Sequence, residues 1–230
     1  GAGFPPALPH RMESLRGPWE SNWVIRGHLL MGPHPGQLTT AEMMRSLRAL
    51  LEVGVTTFVS LQHDLPSPLA SASIKPAGAP SARAHSSYGH RNVVTARPYL
   101  EEARLLASSA GLPQSEPGGE LALVHFPIDD SDGGTAADAE VGSLVQRVVQ
   151  MLKAGDLVYL QCADGNGRSG TIAALVLGAV YGLSSSEALD AVQRSRSFRA
   201  GAKGLAPETH EQKMQVHRLL GDAGFRRRVV

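Results

Sequence analysis

The sequence predicts an α/β fold: a single domain with a mainly parallel central sheet flanked by helices on both faces. Three observations carry this expectation. Short β-branched and apolar runs, at 55–61, 121–126 and 157–160, alternate with longer stretches of helical periodicity. Those runs are mostly apolar or β-branched on both alternating sets of positions, as strands covered on both faces are. Helix punctuation, a Thr or Ser before and a Gly after, separates the two kinds of segment. In chain order, 23–25 and 29–31 read as a short hairpin. Thr39 or Thr40 caps a helix on which Met43, Met44, Leu47, Leu50 and Leu51 recur at helical spacing until Gly54. Residues 55–61 form a buried strand, and 66–84, made of Pro, Ser, Ala and Gly with little to bury, form a long surface loop or disordered insertion. A helix over 97–110, a second Pro/Gly loop over 111–119 and a strand over 121–126 follow. Then come a helix over 137–153 closed by Gly155, the central strand 157–160 running to Gln161, and three helices over 169–181, 186–196 and 207–220. The expected layout is one domain over 19–222 with a variable insertion near 64–92, an N-terminal tail 1–18 and a C-terminal tail 223–230.

The chain has one cysteine, and it follows the central strand in Cys-Ala-Asp-Gly-Asn-Gly-Arg-Ser-Gly, Cys162 to Gly170. A strand end, a glycine-rich loop and a helix start place unpaired backbone N–H groups and the positive end of the helix dipole around one point. Gly165 and Gly167 let the loop turn successive N–H groups inward as an anion-binding nest built from Ala163, Asp164, Gly165, Asn166 and Gly167. Arg168 adds a planar fork of donors for two oxygens of a phosphate. Beside cations and helix N-termini a thiol, ordinarily near 8.5, falls to roughly 3.5–7.5, so this setting favours a thiolate nucleophile. Ser169 stands where its hydroxyl can hydrogen-bond the sulfur and ease its departure. A lone cysteine at a strand end is more often a small core hydrophobe, and a glycine-rich turn often holds a nucleotide phosphate without chemistry. Cys, Arg, Ser and two glycines in one register favour the reactive reading.

Attack by cysteine on a phosphate monoester needs an acid for the departing oxygen. Phe-Pro-Ile-Asp-Asp-Ser-Asp-Gly-Gly, Phe126 to Gly134, supplies three candidates in Asp129, Asp130 and Asp132. Aspartates before Gly-Gly also form turns and helix caps, so at least two of the three have that role.

Composition fits a compact enzyme. The 230 residues are 42% hydrophobic with net charge +1, enough for a full core and too balanced for a nucleic-acid or membrane-surface partner. One cysteine excludes an internal disulfide and leaves no second thiol to protect an oxidised first one. No apolar run reaches the roughly 20 residues that span a bilayer. Nine histidines include no HExxH, CxxC or Cys/His cluster, so no metal and no other cofactor is expected. An intracellular, cytoplasmic location follows, with an organelle-imported, trimmed precursor left open by the Gly-Ala-Gly-Phe-Pro-Pro start. Oligomeric state is not readable.

The loop Cys162 to Ser169 resembles the signature of the cysteine-dependent protein tyrosine phosphatase superfamily, and more narrowly its small dual-specificity-like branch: Cys, five residues, Arg, then Ser or Thr. The stretch Asn22 to Gly36 looks like the opening hairpin of one subgroup, Phe126 to Asp130 like its general-acid loop, and Pro207 to Gln212 like its late helix start. The resemblance covers about 22–220 apart from about 62–120. It implies the fold above and a metal-independent phosphatase acting through a cysteinyl-phosphate. It also implies Asp130, two residues after Ile128, as the acid; an alternative register selects Asp132. Gln212 is similar to a glutamine that positions the hydrolytic water in some members, although a solvent-facing helix position explains it as well. One departure stands out: the family has His before the nucleophile, and here Gln161 occupies that place. This motivates the alternative of a weak or inactive phosphate-binding module, with the amide of Gln161 expected on the loop backbone. A sulfurtransferase or arsenate reductase is a third reading, which leaves the acid loop unexplained and lacks the extra cysteines that arsenate reduction needs.

For substrate, the resemblance puts lysines in the catalytic loops of inositol-phospholipid phosphatases, whereas this loop carries Ala163, Asp164 and Asn166. An acidic loop disfavours a polyphosphorylated ring and favours a phosphorylated protein or peptide, with phosphotyrosine and phosphoserine or phosphothreonine undistinguished. Arg194, Arg196, Arg199 and Lys203 read either as a basic helix end or as residues steering an anionic substrate. The segment His85 to Arg91 lies where pocket depth is set in such proteins, and its spacing assigns no role.

Overall fold

Apolar side chains alternate between two faces of a five-stranded sheet, and the helices divide between those faces accordingly. The structure, a computed structural model, describes residues 4–8, 13–37, 39–63, 98–110, 121–131, 133–201 and 203–229. The expected insertion near 64–92, the loop 111–119, the segment His85 to Arg91 and Asp132 lie outside the described residues.

In chain order the elements are β1 (Asn22–Ile25), β2 (Leu29–Pro33), a one-turn 3-10 helix (Pro35–Gln37), α1 (Thr40–Glu52), β3 (Thr57–Ser60), α2 (Leu100–Ala110), β4 (Ala122–His125), α3 (Asp138–Ala154), β5 (Val158–Cys162), α4 (Gly167–Tyr181), α5 (Ser185–Ser197), α6 (His210–Gly221) and α7 (Ala223–Val229). The sheet order is β1-β2-β5-β3-β4; β1 runs antiparallel to β2 and every other pairing is parallel. The mainly parallel sheet with helices on both faces is the fold expected from the sequence. β5 lies centrally, and its carboxyl end is where the loop from Cys162 to Arg168 begins.

On one face Leu30, Phe58, Leu123 and Tyr159 pack against α1 and α2. On the other, Leu29, Met31, Val59, Val124, Val158, Leu160 and Cys162 pack against the remaining helices. Helix α4 is buried at every position from Gly167 to Ala179, which explains a sequence apolar all round rather than striped. Local signals set the helix ends. Thr39, Ser184 and Thr209 form capping boxes with Glu42, Glu187 and Gln212, and Gly155 closes α3 with φ 97°.

Three stretches differ from expectation: α2 starts at Leu100, after two non-helical residues, rather than at 97, and two more lie toward the C-terminus. Helix α6 starts at His210 rather than at Pro207, because Thr209 takes the cap. The expected C-terminal tail folds as α7, with Phe225 and Val229 buried in the larger core; two apolar residues among three arginines gave too short a pattern to read as a helix. Among the described residues no helix is long and apolar enough to cross a membrane, and no group of three His, Cys, Asp or Glu is placed to hold a metal.

Candidate active site

Cys162 is the last residue of β5 and is 3% exposed, with its side chain on the α3/α4 face. The chain then turns through Ala163, Asp164, Gly165 and Asn166 into α4. Asn166 is the N-cap yet makes no side-chain cap bond, so it leaves the first N–H groups of α4 to another acceptor. Gly165 has φ +66°, and a Cβ there would lie 2.1 Å from the carbonyl carbon of Gly32 and 2.6 Å from Pro33 N. Only glycine lets the loop lie this close to the end of β2. The His34 N–H donates to Ala163 O at 3.2 Å, tying the two together.

Arg168 reaches back under the loop that follows β4. It is 5% exposed; Nη1 donates to Ile128 O at 3.1 Å, and Nη2 lies 3.3 Å from Asp130 Oδ2. Asp130 is therefore beside the Arg168 guanidinium, with its own side chain open to solvent. Its neighbour Asp129 turns away: Oδ1 accepts from Ser131 N at 2.8 Å and Ser131 Oγ at 2.7 Å, bonds that hold the carboxyl below its usual range. Asp129 is thus a turn former. Ser169, fully buried on the first turn of α4, has a hydroxyl with no hydrogen-bond partner among the described residues.

Gln212 is 2% exposed, which removes the solvent-facing reading. Its Oε1 accepts from Glu208 N at 2.9 Å and Thr209 N at 3.1 Å, and Nε2 donates to Gly134 O at 3.3 Å. A Cβ on Gly167 would lie 2.8 Å from Gln212 Nε2 and 2.8 Å from Glu208 Oε2, so both side chains press on the helix start. Glu208 Oε1 accepts from Asn166 Nδ2 at 3.3 Å. Burial pushes its carboxyl above the usual range, and nearby Asp164 and Asp130 add to the rise. Sequence reasoning gave Glu208 no role; its place just before a capped helix was the available signal.

Arg196 and Arg199 are not the surface charges that either reading of this basic stretch expected. Both are 5% exposed and hold the loop from outside. Arg199 Nε donates to Asn22 Oδ1 at 2.9 Å; Nη1 to Asp164 O at 2.9 Å and Asn166 Oδ1 at 3.2 Å; Nη2 to Met31 O at 3.2 Å and Gly165 O at 2.7 Å. Arg196 Nε donates to Asn166 Oδ1, and Nη2 to Lys203 O at 2.9 Å. Burial pushes Arg199 down to about 10, with Arg196 contributing, and it stays charged at neutral pH. Gln161 also departs from expectation. Its Nε2 donates to Tyr99 Oη on the α1/α2 face, not to the loop backbone, because strand alternation turns it away from Cys162.

No protein-family profile matches the chain, and no curated protein matches it in sequence. Solved structures do match. PTPMT1 aligns at a TM-score of 0.52 and 17% identity over 91% of this chain and 95% of its own. Tk-PTP in its active form gives 0.53 and 20% over 87% and 95%, and DUSP15 gives 0.54 and 13% over 91% and 94%. At these identities the likeness is one of architecture, and it spans nearly the whole of each partner. The chain has the fold shared by protein tyrosine and dual-specificity phosphatases.

Proposed function

We propose that the protein is a metal-independent phosphatase that hydrolyses phosphate monoesters on proteins, phosphotyrosine and/or phosphoserine or phosphothreonine, through a cysteinyl-phosphate. The observation that carries this reading is the convergence of Cys162, the loop to Arg168 and the Asp130 carboxylate, 3.3 Å from Arg168. The backbone N–H groups of Ala163 to Gly167 and the Arg168 guanidinium bind the equatorial oxygens and stabilise charge in the transition state. The Cys162 thiolate attacks phosphorus in line; an S–P bond forms as the ester P–O bond breaks. Asp130 gives its proton to the leaving oxygen. The resulting carboxylate takes a proton from water, which attacks the phosphorus; the S–P bond breaks and phosphate leaves. Ser169, whose hydroxyl has no other described partner, donates to the departing sulfur. Gln212, already committed to Glu208, Thr209 and Gly134, retains one amide hydrogen for the attacking water.

The surroundings favour a monophosphorylated substrate. Asp130 and Asp164 lie close enough for their charges to bear on Glu208, and the three oppose a second phosphate near the first. A PTPMT1 structure holds PI(5)P, at a TM-score of 0.52 and 18% identity to this chain, so an inositol phospholipid belongs in the substrate panel as the contrasting case.

The test is turnover of an aryl phosphate in the presence of a chelator. Loss in Cys162→Ser, a large fall in Arg168→Ala and a flattened basic limb in Asp130→Asn are expected, with Asp132→Asn close to wild type. Full turnover in Cys162→Ser refutes the reading. Phosphate binding without wild-type turnover points instead to a binding module.

A further inference from the structure

Behind the nucleophile loop, on the α1/α2 face of the sheet, four buried polar side chains meet: His34, Ser60, Tyr99 and Gln161. Ser60 on β3 is the register partner of Gln161 on β5, so the two side chains stand side by side on one face. Tyr99 is fully buried; its Oη accepts from Gln161 Nε2, and its ring meets the His34 ring edge-to-face at 5.1 Å. Three polar atoms of this group are buried without a partner among the described residues: His34 Nε2, Ser60 Oγ and Gln161 Oε1.

Their polarities are complementary. His34 Nδ1 accepts from the Gly36 N–H at 3.0 Å, which places the proton of the neutral ring on Nε2. Burial pushes His34 down to about 4, so the ring is neutral at working pH. The group therefore contains an unpaired donor in His34 Nε2–H, an unpaired acceptor in Gln161 Oε1, and a hydroxyl capable of either. Each is costly if left unpaired in the core. One internal water bonded to all three would satisfy them. Both ends of this group are also fixed to the catalytic loop. The His34 backbone N–H holds Ala163 O, and Gln161 directly precedes Cys162.

We propose that His34 is a positioning residue for Cys162: its Nε2–H completes the hydrogen bonding of Gln161 through one internal water shared with Ser60, fixing the strand end that presents the nucleophile. This rests on the phosphatase reading above. A histidine on a different strand thus stabilises the residue before the cysteine as a neutral donor, without contributing charge.

The experiment compares His34→Leu, which cannot donate, with His34→Gln, which keeps an amide donor. Two readouts are taken: kcat and KM on an aryl phosphate, and the rate at which iodoacetate alkylates Cys162 at fixed pH. His34→Leu is expected to lower both kcat and the alkylation rate about tenfold with KM within about twofold, because small misplacements of reacting groups act on rate rather than on binding. His34→Gln restores both. Equal, wild-type behaviour of the two variants overturns the proposal, as does a kcat loss that His34→Gln fails to rescue. If His34→Leu does not fold, Ser60→Ala replaces it: a fall of about threefold in the alkylation rate is expected, and no change overturns the proposal. The alkylation comparison decides the positioning role even if turnover is absent, in which case the phosphatase reading alone fails.

Discussion

Replacing Arg199 with lysine separates a clamp from a steering charge, because both side chains are cationic. Arg199 places all five of its N–H donors on acceptors, four of them in buried bonds: Asn22 Oδ1, Asn166 Oδ1 and the carbonyls of Met31 and Gly165, with the Asp164 carbonyl part-buried. Three of those acceptors belong to the loop between Cys162 and Arg168, one to β1 and one to β2. A lysine ammonium carries three donors at a single point and cannot span them. At least two acceptors lose their partner, each costing about 1–3 kcal/mol when buried, so a loss of about 4 kcal/mol is expected. Urea unfolding reads this as a lower midpoint at unchanged slope. The loop, released from one side, also loses kcat by about tenfold or more, with KM for a neutral-bodied aryl phosphate little changed. An unchanged urea midpoint together with a raised KM confined to anionic peptide substrates would show that Arg199 steers and does not clamp.

Two further substitutions probe the same loop. Gly165→Ala puts a methyl group 2.1 Å from the Gly32 carbonyl carbon at φ +66°; the backbone strain alone costs about 1–2 kcal/mol, and phosphate binding by calorimetry should be lost, whereas wild-type binding would mean that the loop does not rest on β2. Glu208→Gln tests the raised carboxyl. The folded state holds that proton more tightly than the unfolded chain, whose value is 4.5, so ionisation costs stability progressively as pH rises above it. The variant keeps an acceptor for Asn166 Nδ2, so its melting temperature should exceed wild type by about 2 °C near pH 8 and converge with it near pH 4; a difference that grows on acidification contradicts the assignment.

The strands were legible because continuous β-branched runs can be buried only on both faces, and the helices because caps such as Thr39, Ser184 and Gly155 are local signals. The loop from Cys162 to Arg168 was legible for the same reason: its parts are adjacent in sequence. What supports that loop was not. Arg199 meets Asn22 across 177 positions and Gln161 meets Tyr99 across 62, contacts that no local pattern encodes. Basic residues at the end of a helix therefore read as surface charge, although two of them are buried under the site. Gln161 shows the complementary limit. Sequence placed it beside the nucleophile, and strand alternation then sent it to the opposite face.

Trapping the phosphoenzyme tests Cys162 as nucleophile most directly. Protein mixed with excess aryl phosphate and quenched in acid within the first turnover should carry one phosphoryl group on the peptide containing Cys162, absent in Cys162→Ser and more abundant in Asp130→Asn if water activation becomes limiting. Steady turnover with no phosphoryl group on that peptide at any quench time would contradict a cysteinyl-phosphate pathway.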